Sequence, residues 1–124
     1  MGISVCWFRK DLRLNDNPAW NSACSDGDVI PVFVLEPSML EVASQRKKDV
    51  MFSNLMALEA ELESLGGYLQ VIEGPARETL PNLLTEWGST SLHFNNDHSP
   101  VAKSRDDTIE ETLNIKVVKH WGNL

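Results

Sequence analysis

Residues 3–19 read I-S-V-C-W-F-R-K-D-L-R-L-N-D-N-P-A, and their order decides the fold. An apolar, β-prone run from Ile3 to Phe8 breaks at once into charge, with Arg9, Lys10, Asp11 and Arg13 interleaved with Leu12 and Leu14. Asn17 then stands where a helix N-cap belongs. Pro18 follows at the first helical position, where its fixed φ and missing N–H do no harm. Strand, charged turn, helix is the first unit of a parallel α/β sheet, and ligands in such sheets bind beyond the carboxyl ends of the strands. The charged turn is therefore the first place to look for function.

Further along, the pattern repeats. Gly27 closes the first helix, and Val29 to Leu35 (V-I-P-V-F-V-L) is the nearly continuous apolar run of a strand covered on both faces. Pro31 is tolerable only near the strand's start, and Glu36 and Pro37 end it, leaving a carboxylate at its carboxyl end. Residues 38–45 read as a loop or a short turn of helix. From about Arg46 to Leu65, a single stripe of Met51, Leu55, Leu58, Leu62 and Leu65 predicts a helix packed on the core, stopped by Gly66 and Gly67. Tyr68 to Ile72 alternates as a third strand, closed by Glu73, Gly74 and Pro75. The next helix runs to Trp87 with Leu80, Leu83, Leu84 and Trp87 on one face; Pro81 implies either a kink or a start near Thr79.

Ser91 to Phe94 is a short fourth strand, followed by a second polar cluster, Asn95-Asn96-Asp97-His98. Ser99 and Pro100 repeat the cap and first-turn chemistry, opening a helix to about Asn114 with Ala102, Ile109 and Leu113 inward. Ile115 to Lys119 is the fifth strand. About five strands alternating with about four helices predict a doubly wound, Rossmann-like parallel sheet in three layers, with right-handed crossovers and strand order 3-2-1-4-5. That order brings Arg9 to Asp11 and Asn95 to His98 to one crevice, with Glu36 alongside. Converging cations, amides and carboxylates suit a polar aromatic ligand with several donors and acceptors. Alternatively, Arg9, Asp11, Arg13, Asp16 and Asp97 pair with one another and tie the loops down.

Composition narrows the function. The chain has 124 residues, 42% hydrophobic and 23% charged, enough for one domain with a real core. Its formal net charge of −7 opposes direct binding to a phosphate backbone. There is no run approaching the ~20 apolar residues of a membrane span and no secretory leader, so a cytoplasmic location without membrane contact is expected. Cys6 and Cys24 are expected to be buried, unpaired thiols of a reducing compartment. His93, His98 and His120 lack metal-ligand spacing, and no metal is expected. Neither G-x-x-x-x-G-K-[ST] nor G-x-G-x-x-G is present, the first turn lacks the Ser/Thr-rich loop of a flavodoxin, and the third strand lacks a receiver's Asp. No nucleophile elbow exists either, and no catalytic residue is assigned. Trp7, Trp20 and Trp87 fall on strand or helix faces and read as core, and Trp121 lies at the chain end.

The run W-F-R-K-D-L-R-L-N-D-N-P-A resembles the opening motif of the photolyase and cryptochrome family of blue-light flavoproteins. The likeness continues through V-F-V-L-E-P-S, L-P-N-L-L, F-N-N-D-H-S-P-V-A-K-S-R-D and W-G-N-L, in order and over essentially the whole chain. Asn96, His98 and Val101 depart from the Arg, Tyr and Tyr common in the family.

The resemblance implies an N-terminal α/β domain, residues 1–124, that holds a light-harvesting antenna chromophore. FAD, the DNA contacts and light-driven electron transfer to a pyrimidine dimer would belong to a helical domain that follows. Lys10, Glu36 and Asp97 match antenna contacts of deazaflavin-type members, with Arg9, Asn96 and His98 beside them. Val101 and Ala102 stand where folate-type members hold folate and cannot make its polar contacts, so a deazaflavin or flavin is favoured over folate, with no antenna as the remaining alternative. The implied parent is a photolyase acting in DNA repair. A cryptochrome, or a free-standing nucleotide-binding or partner-docking module, is the alternative. The expected partner is the helical FAD domain, whose linker would begin after W-G-N-L; the isolated domain is not expected to be catalytic, and its bare apolar surface could support a homodimer.

Overall fold

The computed structural model describes residues 2–9, 12–95, 107, 109, 113 and 115–120. Its elements are β1 (Gly2–Phe8), α1 (Pro18–Asp26), β2 (Gly27–Leu35), α2 (Pro37–Val42), α3 (Gln45–Ser64), β3 (Gln70–Glu73), α4 (Ala76–Trp87), β4 (Ser89–Asn95) and β5 (Lys116–His120). All strand pairings are parallel, and the order is β3-β2-β1-β4-β5, as expected from the alternation of elements.

Strand periodicity divides the core in two. Val5 and Trp7 of β1, Val32 and Val34 of β2, and Leu92 and Phe94 of β4 point to one face, where Ala76, Leu80 and Leu84 of α4 and Ile109 cover them. Cys6, Phe8 and Phe33 point to the other, against Ala19 and Ala23 of α1 and Leu55, Leu58 and Leu62 of α3. This two-sided burial is why β1 and β2 read as unbroken apolar runs. The three layers are thus visible in the residue pattern itself.

Helix termini follow their side-chain chemistry. Asn17 Oδ1 accepts from Trp20 N at 3.1 Å, with Pro18 in the first turn, and Ser44 Oγ accepts from Lys47 N at 3.2 Å to start α3. Gly88, at φ 65°, supplies the left-handed residue that ends α4. Residues 37–42 form a short helix rather than a loop.

Several expectations are corrected. Helix α4 begins at Ala76 and runs through Pro81, not from Thr79. The Glu78 and Thr79 amides both bond Pro75 O at 3.0 Å, so the first turn is complete before proline removes a donor. The third strand is Gln70–Glu73 rather than 68–72, and Tyr68 is exposed. Leu65 is not a core residue but the C-cap of α3, 67% exposed, because the helix ends one residue before its stripe would. Cys24 is exposed, unlike buried Cys6: Ala19 and Ala23 form the inward face of α1, and the next residue turns about 100° away. Ala102 and Trp121 lie outside the described residues.

Candidate functional site

Parallel strands carry their carboxyl ends to one rim. Arg9 leaves β1, Glu36 leaves β2 and Asn95 ends β4, and the winding reverses between β1 and β4. The sheet therefore brings Arg9, Glu36 and Asn95 to the edge where open α/β sheets bind ligands. Lys10, Asn96, Asp97 and His98, expected in the same crevice, lie outside the described residues, as do Asp11, Val101 and Ala102.

Arg9 is turned across the sheet end. Its Nη1 donates to Asn95 O at 3.3 Å, and its guanidinium carbon lies 4.9 Å from the Trp7 ring centroid and 5.6 Å from that of Phe94. The two rings meet edge to face at 5.3 Å. A cation over two aromatic faces is held by their quadrupoles as well as by the carbonyl. Arg9 thus joins the ends of β1 and β4. Glu36 is half-buried where β2 gives way to α2.

The turn after β1 is tied down by amides and carbonyls. Arg13 donates to the carbonyls of Asn15 and Asp16, at 3.1 and 3.4 Å, rather than to a carboxylate. Asp16 takes φ 51°, the left-handed conformation that Asp tolerates in turns. Asn17, fully buried, donates through Nδ2 to Arg13 O at 2.8 Å. Asn95 Nδ2 donates to Asn17 Oδ1 at 2.8 Å, and Asn95 Oδ1 accepts from Ala19 N at 3.2 Å. Among the described residues, Arg13 is thus held by backbone carbonyls, while Asp11 and Asp97, two of the carboxylates in the expected mutual pairing, lie outside them.

A polar cluster that the spacing of the histidines did not reveal lies beneath α1. His93 is fully buried, and its Nε2 lies 3.1 Å from Asp26 Oδ2; the carboxylate accepts, so Nε2 carries the proton. Its ring stacks on His120, with centroids 5.8 Å apart and planes at 18°. Lys116 Nζ approaches Asp26 Oδ2 at 3.4 Å. Burial lowers the pKa of His93, against the opposing pull of Asp26, and burial followed by the neighbouring His93 lowers that of His120. The bond from His93, then one from Ser91, lowers that of Asp26. The available signal was alternation within β4: Ser91, His93 and Asn95 share one face while Leu92 and Phe94 share the other. No group of three or more metal-ligating side chains occurs among the described residues, and none of their helices is long and apolar enough to cross a membrane.

The sequence model of the DNA photolyase family matches residues 4–124. The deoxyribodipyrimidine photo-lyase of Thermus thermophilus is 31% identical, over 93% of this chain and 27% of its own length. Cryptochrome-1 of Spalax judaei is 36% identical, over 90% of this chain and 20% of its own. Among solved structures, an archaeal photolyase from Sulfolobus tokodaii superposes with a TM-score of 0.90 at 30% identity, covering 96% of this chain and 29% of that one. That protein was solved with two FAD molecules, with the implication of a novel light-harvesting cofactor. The chain spans less than a third of each of these relatives.

Proposed function

Since this chain belongs to the DNA photolyase family, as its N-terminal α/β domain, we propose that it binds the antenna chromophore of a light-dependent DNA repair enzyme. The observation that carries this reading is the rim itself: Arg9 and Asn95 flank the reversal of winding between β1 and β4, and Glu36 follows the neighbouring end of β2. A guanidinium and a carboxylate there offer complementary partners to the edge of a flavin or deazaflavin ring, which presents both an N–H and carbonyls. The bound group would supply absorption in the near ultraviolet and blue. The protein's part is to orient the ring and exclude water. Lys10, Asn96, Asp97 and His98 are the further contacts this reading assigns.

Excitation would pass to FAD in a helical partner domain, which would also carry the DNA contacts, in keeping with the net charge of −7 here. Two cysteines without a disulfide fit action in the cytoplasm. The test is titration of the chain with FMN, a deazaflavin and a reduced folate, read by chromophore fluorescence. Saturable binding of a flavin or deazaflavin at one equivalent, weakened in Glu36→Gln and Lys10→Met, is expected. Preferential binding of folate, or no binding of any of the three, would overturn the assignment.

A further inference from the structure

Among the hydrogen bonds at the rim, the two asparagines form a relay that runs in a single direction. At one end the donors are fixed: the amides of Ala19 and Trp20, in the first turn of α1, have no carbonyl one turn earlier to bond. Asn95 Oδ1 accepts from Ala19 N at 3.2 Å, so Asn95 Nδ2 must face Asn17. Asn17 Oδ1 accepts both from that Nδ2 and from Trp20 N, at 2.8 and 3.1 Å, so Asn17 Nδ2 must face outward. It meets Arg13 O, an acceptor, at 2.8 Å. Turning either amide over would set oxygen against oxygen or an N–H against an N–H, so only this assignment satisfies every partner. Residues separated by 78 positions are thereby joined, and Arg9 Nη1 on Asn95 O adds the end of β1 to the same unit.

We propose that Asn95 and Asn17 are positioning residues that lock the turn after β1, the start of α1 and the end of β4 into one preformed crevice wall. Their importance to a ligand rests on the chromophore-binding reading above, whereas the relay itself does not. Preorganisation of this kind improves affinity by removing the ordering that binding would otherwise require.

Direction makes the relay testable by near-isosteric change. In Asn95→Asp the side chain keeps an acceptor for Ala19 N but loses the donor to Asn17, so two oxygens oppose each other while the carboxyl is ionised. Protonation restores an O–H donor. In Asn17→Asp both acceptor roles survive, and the bond to Arg13 O becomes an opposition of two oxygens. Riboflavin, which lacks a titrating phosphate, is the probe, and amide hydrogen exchange at Trp20 with backbone NMR order parameters in residues 12–16 is the ligand-independent measurement.

The expected result for Asn95→Asp is roughly tenfold weaker riboflavin binding at pH 8 and faster exchange at Trp20, both returning toward wild type as pH is lowered. For Asn17→Asp, Trp20 should keep its protection while the backbone order parameters of residues 12–16 fall. Wild-type affinity, exchange and pH profile in Asn95→Asp would overturn the relay. If the wild type binds no riboflavin, the chromophore reading fails alone, and the exchange pattern still decides for or against the relay. If Asn95→Asp does not fold, the split between Trp20 and residues 12–16 in Asn17→Asp decides in the same way.

Discussion

Replacing Phe94 by Leu tests whether the Arg9 side chain is held by the aromatic pair or merely lies over it. Leucine preserves an apolar side chain in the core between β4 and α4 but is smaller than phenylalanine, so the lost burial alone costs about 1 kcal/mol. Two further losses follow from the geometry. The edge-to-face contact with Trp7, at 5.3 Å and 62°, contributes about 0.5–1.5 kcal/mol beyond area burial. The cation–π contact with Arg9 is at 5.6 Å, near the outer limit of such interactions, and contributes about 0.5–1 kcal/mol. Phe94→Leu should therefore destabilise by about 2–3.5 kcal/mol, a large part of a domain's stability. The assay is a double-mutant cycle with Arg9→Met, read by urea unfolding. Met keeps an unbranched apolar stem, and the lost bond to Asn95 O is common to both arms, so it cancels. A coupling of about 0.5–1 kcal/mol is expected for the cation–π contact. A coupling within about 0.3 kcal/mol of zero would refute it, since distant sites add to that accuracy.

Four other outcomes are expected. Leu80→Ala, at a fully buried position in the α4 core, should cost about 2–5 kcal/mol in urea unfolding, because it leaves a cavity that surrounding strands cannot close. Pro81→Ala should stabilise by about 1–2 kcal/mol in the same assay: the helix regains a donor, offset in part by greater freedom of the unfolded chain. Gly27→Ala should lower the midpoint of thermal unfolding, since at φ 145° an added Cβ would collide with Gly2 O, a backbone atom that cannot move aside. The fourth is pH dependence. With His93 and His120 both depressed below 6.5, the unfolded chain binds more protons in that range; stability is complete above 6.5 and falls as pH drops through the lower folded values. Thermal melts between pH 8 and 5 should show this decline, and His93→Gln should flatten it.

Several features were legible because their causes are local. Asn17 and Pro18 announce the start of α1 through cap chemistry that needs only neighbouring residues, and the stripe of Leu55, Leu58 and Leu62 places α3 on the core. Boundaries were less legible where distant contacts decide them. Tyr68 looked like strand, but β3 extends only where Val32 to Leu35 pair with it, beginning at Gln70. Glu36 could be placed at a strand end because an apolar run stops there. The orientation of Arg9 could not, because the Trp7 and Phe94 rings it lies against come from two strands 87 positions apart in the numbering.

From the chain alone came the alternation of strands and helices, the two-sided burial of β2, the 3-2-1-4-5 order and the expectation of a polar crevice at one rim. These rest on periodicity, capping and the handedness of parallel crossovers, all properties of short segments or of topology. Tertiary structure alone decided that Asn95 bonds Asn17, that Arg9 spans two rings, and that His93 meets Asp26 and His120 beneath α1. Each of these depends on strand register. A shift of one residue sends a side chain to the opposite face of the sheet, and no local pattern specifies which partner it will find there.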